Sequence, residues 1–74
     1  MVTASSTQRF EFVGGGSDKF WEIAVSGREV TVRFGRNGTN GQTTTKALPD
    51  ETAAARHAEG LIKSKLSKGY RRVS

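Results

Sequence analysis

Polar and apolar residues alternate through residues 9–13, Arg9-Phe10-Glu11-Phe12-Val13, the pattern of a half-buried strand with Phe10 and Phe12 turned inward. Alternation resumes over residues 19–26, with Trp21, Ile23 and Val25 on one face and Phe20, Glu22 and Ala24 on the other. Residues 29–34 repeat it, setting Val30, Val32 and Phe34 against Glu29, Thr31 and Arg33. The glycines at 14–16 read as a flexible connection, and Ser26-Gly27 as a tight hairpin turn. Residues 42–48 are β-prone through their threonines yet mostly polar, as an edge strand should be. After Pro49 the period changes. Ala54, Ala58, Leu61, Ile62 and Leu66 recur at helical spacing, with Asp50 as N-cap and Gly69 as the stop. Tyr70 extends that apolar face beyond Leu66, and residues 71–74 form a short basic end. Gly60 inside the helix costs about 1 kcal/mol relative to alanine, which points to close packing of its turn.

These elements predict an α+β fold: a four-stranded antiparallel β-meander with one C-terminal α-helix packed on one face. Residues 1–8 read as a loose polar arm and residues 9–72 as a single domain. A chain of 74 residues buries only about 60% of its unfolded surface. Its core must therefore lean on Phe10, Phe12, Phe20, Trp21, Phe34 and Tyr70. A cofactor-sized cavity lined on all sides has no room, so no cofactor is expected.

Catalytic chemistry finds little support. Lys19 follows the glycines at 14–16, but the spacing is not that of a phosphate-binding loop and a strand follows, not a helix. His57 is the one histidine and cysteine is absent, which removes the common zinc arrangements. Glu11, Glu22 and Glu29 lie on strand faces opposite the apolar residues, where pairing with Lys or Arg accounts for them. The expectation is a binding domain, not an enzyme. No apolar run approaches the ~20 residues of a membrane span, the N-terminus lacks the order of a signal peptide, and the lack of cysteine fits a reducing cytoplasm.

Charge changes the picture more. Twelve Lys and Arg against seven Asp and Glu give a net charge of +5, which on so small a domain favours a polyanionic partner. The candidate site is the stretch between the third and fourth strands. There Gly35, Gly38 and Gly41 recur every third residue around Arg36, and Asn37-Gly38 and Asn40-Gly41 are turn dipeptides. Such a backbone can gather N–H groups into an anion-binding nest, with the forked Arg36 cation beside it. An ordinary long hairpin loop accounts for the glycines equally well.

Phe34-Gly35-Arg36-Asn37-Gly38-Thr39-Asn40-Gly41-Gln42 resembles the segment that names the WGR domain, a module of poly(ADP-ribose) polymerases and of small bacterial proteins. The resemblance extends to Phe10-Glu11-Phe12, to residues 19–23, to the threonine-rich strand with Lys46, and to Lys65-Leu66-Ser67-Lys68-Gly69-Tyr70. Phe34 stands where the signature has tryptophan, so the indole N–H is lost. In the polymerases the aromatic and arginine of this segment lie near a DNA break, and the arginine also serves contacts between domains. The resemblance therefore implies nucleic-acid binding, DNA before RNA. Gly35, Arg36, Gly38 and Lys46 would hold phosphate, Phe34 would stack on a sugar or base, and Lys68, Arg71 and Arg72 would supply general attraction. The alternative is a protein–protein interaction domain using the same loop. Phe34 is in phase with Val30 and Val32, so a place in the core is equally open to it.

Overall fold

The computed structural model describes residues 7–73. Five strands and one helix follow in the order β1 (Gln8–Gly14), β2 (Ser17–Ser26), β3 (Glu29–Arg36), β4 (Gln42–Ala47), α1 (Glu51–Ser67) and β5 (Arg71–Arg72). The sheet order is β4-β3-β2-β1-β5, and every neighbouring pair is antiparallel. The meander is as the alternation predicts. The basic end is not a tail: it returns as a fifth strand, with Arg71 opposite Glu11 and Arg72 opposite Phe10. Of the arm expected at residues 1–8, residues 1–6 lie outside the described residues, and Gln8 opens β1.

Directly paired residues share a face. Phe10, Trp21 and Phe34 line up across three strands, and Ile23 and Val32 across two. α1 packs on this face, mainly over β2 and β3, with Ala54 and Ala58 buried at the contact. Alanine there lets the helix backbone approach Phe10, Trp21, Ile23 and Val30. Each large side chain buried here contributes about 1.5–3 kcal/mol. Phe10 and Trp21 meet at 5.6 Å between ring centroids, tilted by 57°. β4 is exposed along its whole length.

Asp50 caps α1 by accepting from the Ala53 N–H at 2.8 Å. At the other end the Tyr70 N–H donates to the Lys65 carbonyl and the Gly69 N–H to the Leu66 carbonyl, each at 3.1 Å. That paired pattern is a Schellman motif, and Gly69 takes its left-handed position at φ +105°. The motif reverses the chain into β5 and seats Tyr70 on the sheet.

Two helical expectations are corrected. Leu66 is 49% exposed, and the inward stripe runs instead through Ala54, His57, Ala58, Leu61, Ile62 and Lys65. Gly60 is exposed with no neighbour where a Cβ would stand, so no close packing offsets its propensity cost.

Candidate nucleic-acid interface

The two-residue turn between Ser26 and Glu29 fixes the β2–β3 register, which sets Trp21 opposite Phe34 and Lys19 opposite Arg36. All four therefore lie on the helix face. The chain reversal after α1 brings Tyr70 onto Phe12, with ring centroids 5.5 Å apart. Lys65, from the inward stripe, reaches over Trp21 at 5.5 Å and over Tyr70 at 5.1 Å. Lys19 comes to Tyr70 from β2 at 5.9 Å, and lies 5.4 Å from the centre of Phe12. The result is an open cleft of about 390 Å³ lined by Trp21, Phe34 and Tyr70 with Lys19, Arg36 and Lys65. Phe34, 39% exposed, belongs to the cleft wall and not to the buried core.

The cleft carries an excess of positive charge, three cations against one carboxylate, Asp18. Among the described residues no carboxylate pairs with Lys19, Arg36 or Lys65. Asp18 lies at the rim, and its carboxylate accepts from Asn37 Nδ2 at 2.7 Å. Burial, then the charges of Lys68 and Lys19, hold the Lys65 pKa below the ordinary lysine value.

On the opposite face the charges around Phe20 are matched. Phe20 is only 2% exposed although it points away from the helix. Arg9 and Arg33 stack on its ring, 4.5 and 4.9 Å from the centroid. Arg9 donates to Glu22 and to Glu11, and Arg33 donates twice to Glu22 Oε1, at 3.0 and 3.1 Å. Arg9 Nη2 also donates to Asn37 Oδ1 at 2.9 Å, and Arg33 Nη1 to the Asn40 carbonyl at 2.9 Å. The loop of residues 37–41 is thus folded under the sheet as a cover for Phe20. Its first turn is closed by the Thr39 N–H donating to the Arg36 carbonyl at 3.1 Å.

Burial pushes the Glu22 carboxyl up, but the hydrogen bonds and charges of Arg9 and Arg33 outweigh it and hold the pKa below its ordinary value of 4.5. Because the folded value is the lower one, the stability Glu22 contributes is present above the unfolded pKa and is lost as pH falls through the folded one. Glu22→Gln is expected to be less stable at pH 7 by about 1–3 kcal/mol, the scale of hydrogen bonds to a charged group. Its stability should also fall less steeply than the native protein's below pH ~4.5. Urea unfolding across pH measures both; identical acid limbs would show that Glu22 does not carry this dependence.

The residues expected to form the site are now separated. Phe34 and Arg36 line the cleft. Gly35 lies inside β3 opposite Phe20. The Asn37 N–H donates to the Asp18 carbonyl, so alternation along the ladder makes Phe20–Gly35 the next hydrogen-bonded pair and engages the Gly35 N–H within the sheet. Gly35 and Gly38 therefore do not form a shared nest. Lys46 shares the helix face on β4, beyond the cleft. Lys68 is the C-cap of α1. Arg71 and Arg72 lie at the far edge of the sheet, three strands from β3 and roughly 14 Å away.

Lys19, Lys65, Trp21 and Tyr70 were not among the expected site residues. A signal for Lys19 was present, since it alternates in phase with Trp21 and the tight turn sets it against Arg36. Lys65 lies eleven positions after Ala54, on the same helical stripe.

Sheet, helix and cleft define a small α+β module that carries a basic, aromatic-lined groove beside its helix. The family model of the WGR domain matches residues 6–74, and the chain belongs to that family, whose module binds nucleic acid in poly(ADP-ribose) polymerases. Among curated proteins it is 35% identical over 63 residues to the uncharacterized protein YfeS of Escherichia coli K12, covering 85% of this chain and 26% of that protein. It is 39% identical over 54 residues to the protein YehF of the same organism, covering 73% of this chain and 20% of that one. The crystal structure of a Bacteroides fragilis protein matches with a TM-score of 0.91 and 38% identity, over 93% of this chain and 20% of the other. The chain thus spans about a quarter or less of these proteins. No helix among the described residues is long and apolar enough to cross a membrane.

Proposed function

We propose that this domain is a DNA-binding module of the cytoplasm, not an enzyme, and that it takes backbone phosphate in the cleft between β2, β3 and the end of α1. One observation carries the reading. Three cations from three elements converge on one aromatic-lined cleft with no carboxylate ion-paired to them among the described residues, whereas Arg9 and Arg33 on the other face are matched by Glu11 and Glu22. Arg36 offers its fork to a phosphate, and Lys19 and Lys65 add point charges held on aromatic rings. Phe34 presents the exposed apolar surface on which a sugar or base can rest. Lys46, Lys68, Arg71 and Arg72 add attraction at longer range.

The test is a titration of duplex DNA, nicked or blunt, across salt concentration. A log–log slope of roughly −3 to −5 is expected if three to five duplex phosphates are neutralised. Affinity independent of salt, or no binding to either duplex at low salt, overturns the proposal and favours a protein partner. The same titration with RNA of equal length reads the preference for DNA.

A further inference from the structure

The cleft does not end at Lys65. A second groove of about 310 Å³ continues along β3 and β4 beside the helix, and Trp21 and Lys65 line both. Its floor is Val30 and Val32 with Leu61 on the helix side, and its open side is Thr44 and Lys46 of β4 with His57 above. Among the described residues no acidic one lines this second groove. The helix lies mainly over β2 and β3, which leaves β4 uncovered. From Arg36 back to Val30, β3 runs six residues, about 20 Å.

We infer that this continuation holds a single-stranded nucleic-acid extension, a flap or overhang leading away from a duplex seated at the cleft. The inference rests on the DNA-binding reading and names the form of substrate that the site takes. Charge sets the chemistry: Arg36 and Lys19 at one end, Lys65 midway and Lys46 beyond give a line of cations that tracks a phosphate backbone. Val30 is buried beneath the groove, and the apolar surface left to it is that of half-buried Val32 and Leu61, wrong for bare phosphate and right for the face of a base. A space of about 310 Å³ is far too small to seat a duplex and has the scale of nucleotides from one strand. The groove itself follows β3 from Val32 to Val30, about 7 Å, and takes the first one or two nucleotides of such a strand.

The test compares a DNA hairpin with a blunt end against the same hairpin with a thymidine overhang of about four nucleotides, placed 3′ or 5′. The overhang of one polarity is expected to bind about tenfold tighter at equal salt. Thr44→Glu puts a carboxylate into the groove and is expected to abolish that gain while leaving blunt-end affinity within about twofold. Thr43→Glu changes the same net charge one residue away on the opposite face and is expected to keep the gain. Equal affinity for overhang and blunt ends overturns this inference and leaves the duplex reading standing. Equal effects of Thr43→Glu and Thr44→Glu overturn it too, because net charge would then explain both. Absence of binding to every probe overturns the duplex reading and this one together.

Discussion

Gly41→Ala is expected to destabilise the domain by about 3 kcal/mol, lowering the melting temperature by roughly 10–20 °C for a domain of this size. Two effects add. Gly41 has φ +69°, where an L residue costs about 1–2 kcal/mol. A Cβ there would also stand 2.9 Å from Phe20 Cζ and run into the Phe34 carbonyl group. Neither neighbour can yield easily. Phe20 is fixed between Arg9 and Arg33, and the Phe34 backbone is held by its pairing with Gln42. Gly38→Ala is the control: Gly38 has φ +92° but open space around its Cβ position, so it should lose only the backbone part, about 1 kcal/mol. Thermal unfolding followed by circular dichroism separates them. Equal losses in the two variants would mean that the seat of the loop on Phe20 is not what holds it.

Glutamine at Lys19, Arg36 and Lys65 together is expected to weaken duplex DNA binding about a hundredfold to a thousandfold. Three charge-assisted contacts are lost, each worth roughly 1–1.5 kcal/mol, and about 1.4 kcal/mol is a factor of ten. The salt slope should flatten by about 0.9 for each phosphate contact removed. Stability should behave differently, because two opposing terms act on Lys65. Its contacts with Trp21 and Tyr70 are cation–π interactions of the exposed kind, worth about 0.5–1 kcal/mol. Burial and the nearby Lys68 and Lys19 disfavour the charged form, so neutralising it relieves a strain of opposite sign. The melting temperature is therefore expected to hold within a few degrees while binding collapses. A large fall in melting temperature with unchanged binding would show these cations to be structural.

The two predictions divide one stretch of sequence. Residues 35–41 read, before folding, as a glycine-rich loop around an arginine, able either to gather amides for an anion or simply to turn. The structure gives most of that stretch to stability. Asn37, Asn40 and Gly41 close over Phe20, and the Gly35 amide is engaged in the ladder. Arg36 alone turns to the helix face, because it is paired with Lys19. Sequence spacing treats the residues of such a loop as one unit. Strand alternation splits them between two faces, and that split decides which can meet a ligand.

The candidate site was legible in part. Phe34 and Arg36, which the family signature singles out, both line the cleft. Lys65 was hidden by a one-residue error in the helical stripe. Hydrophobicity favours Leu66 as the inward residue, but the helix ends beside the open corner of the sheet. There a long amphipathic lysine covers aromatic surface and still reaches water, while Leu66 is left outside. Tyr70, expected to extend the apolar face of the helix, is not a helical residue, and the Schellman reversal aims it at Phe12 instead.

Local pattern alone is enough to set the meander, the tight turn between β2 and β3, the capped helix and the family. Period-two and period-3.6 patterns, turn residues and caps are local, and each acts over a few positions without knowledge of the rest. From the turn alone even the pairing of Lys19 with Arg36 and of Trp21 with Phe34 follows. The tertiary structure decided where the helix lies across the sheet, that β5 returns to pair with β1, and that Phe20 is buried on the face away from the helix. Those depend on how surfaces far apart in the chain fit together. The cleft exists only because α1 covers β2 and β3, leaves β4 open, and ends where three cations can share one aromatic wall.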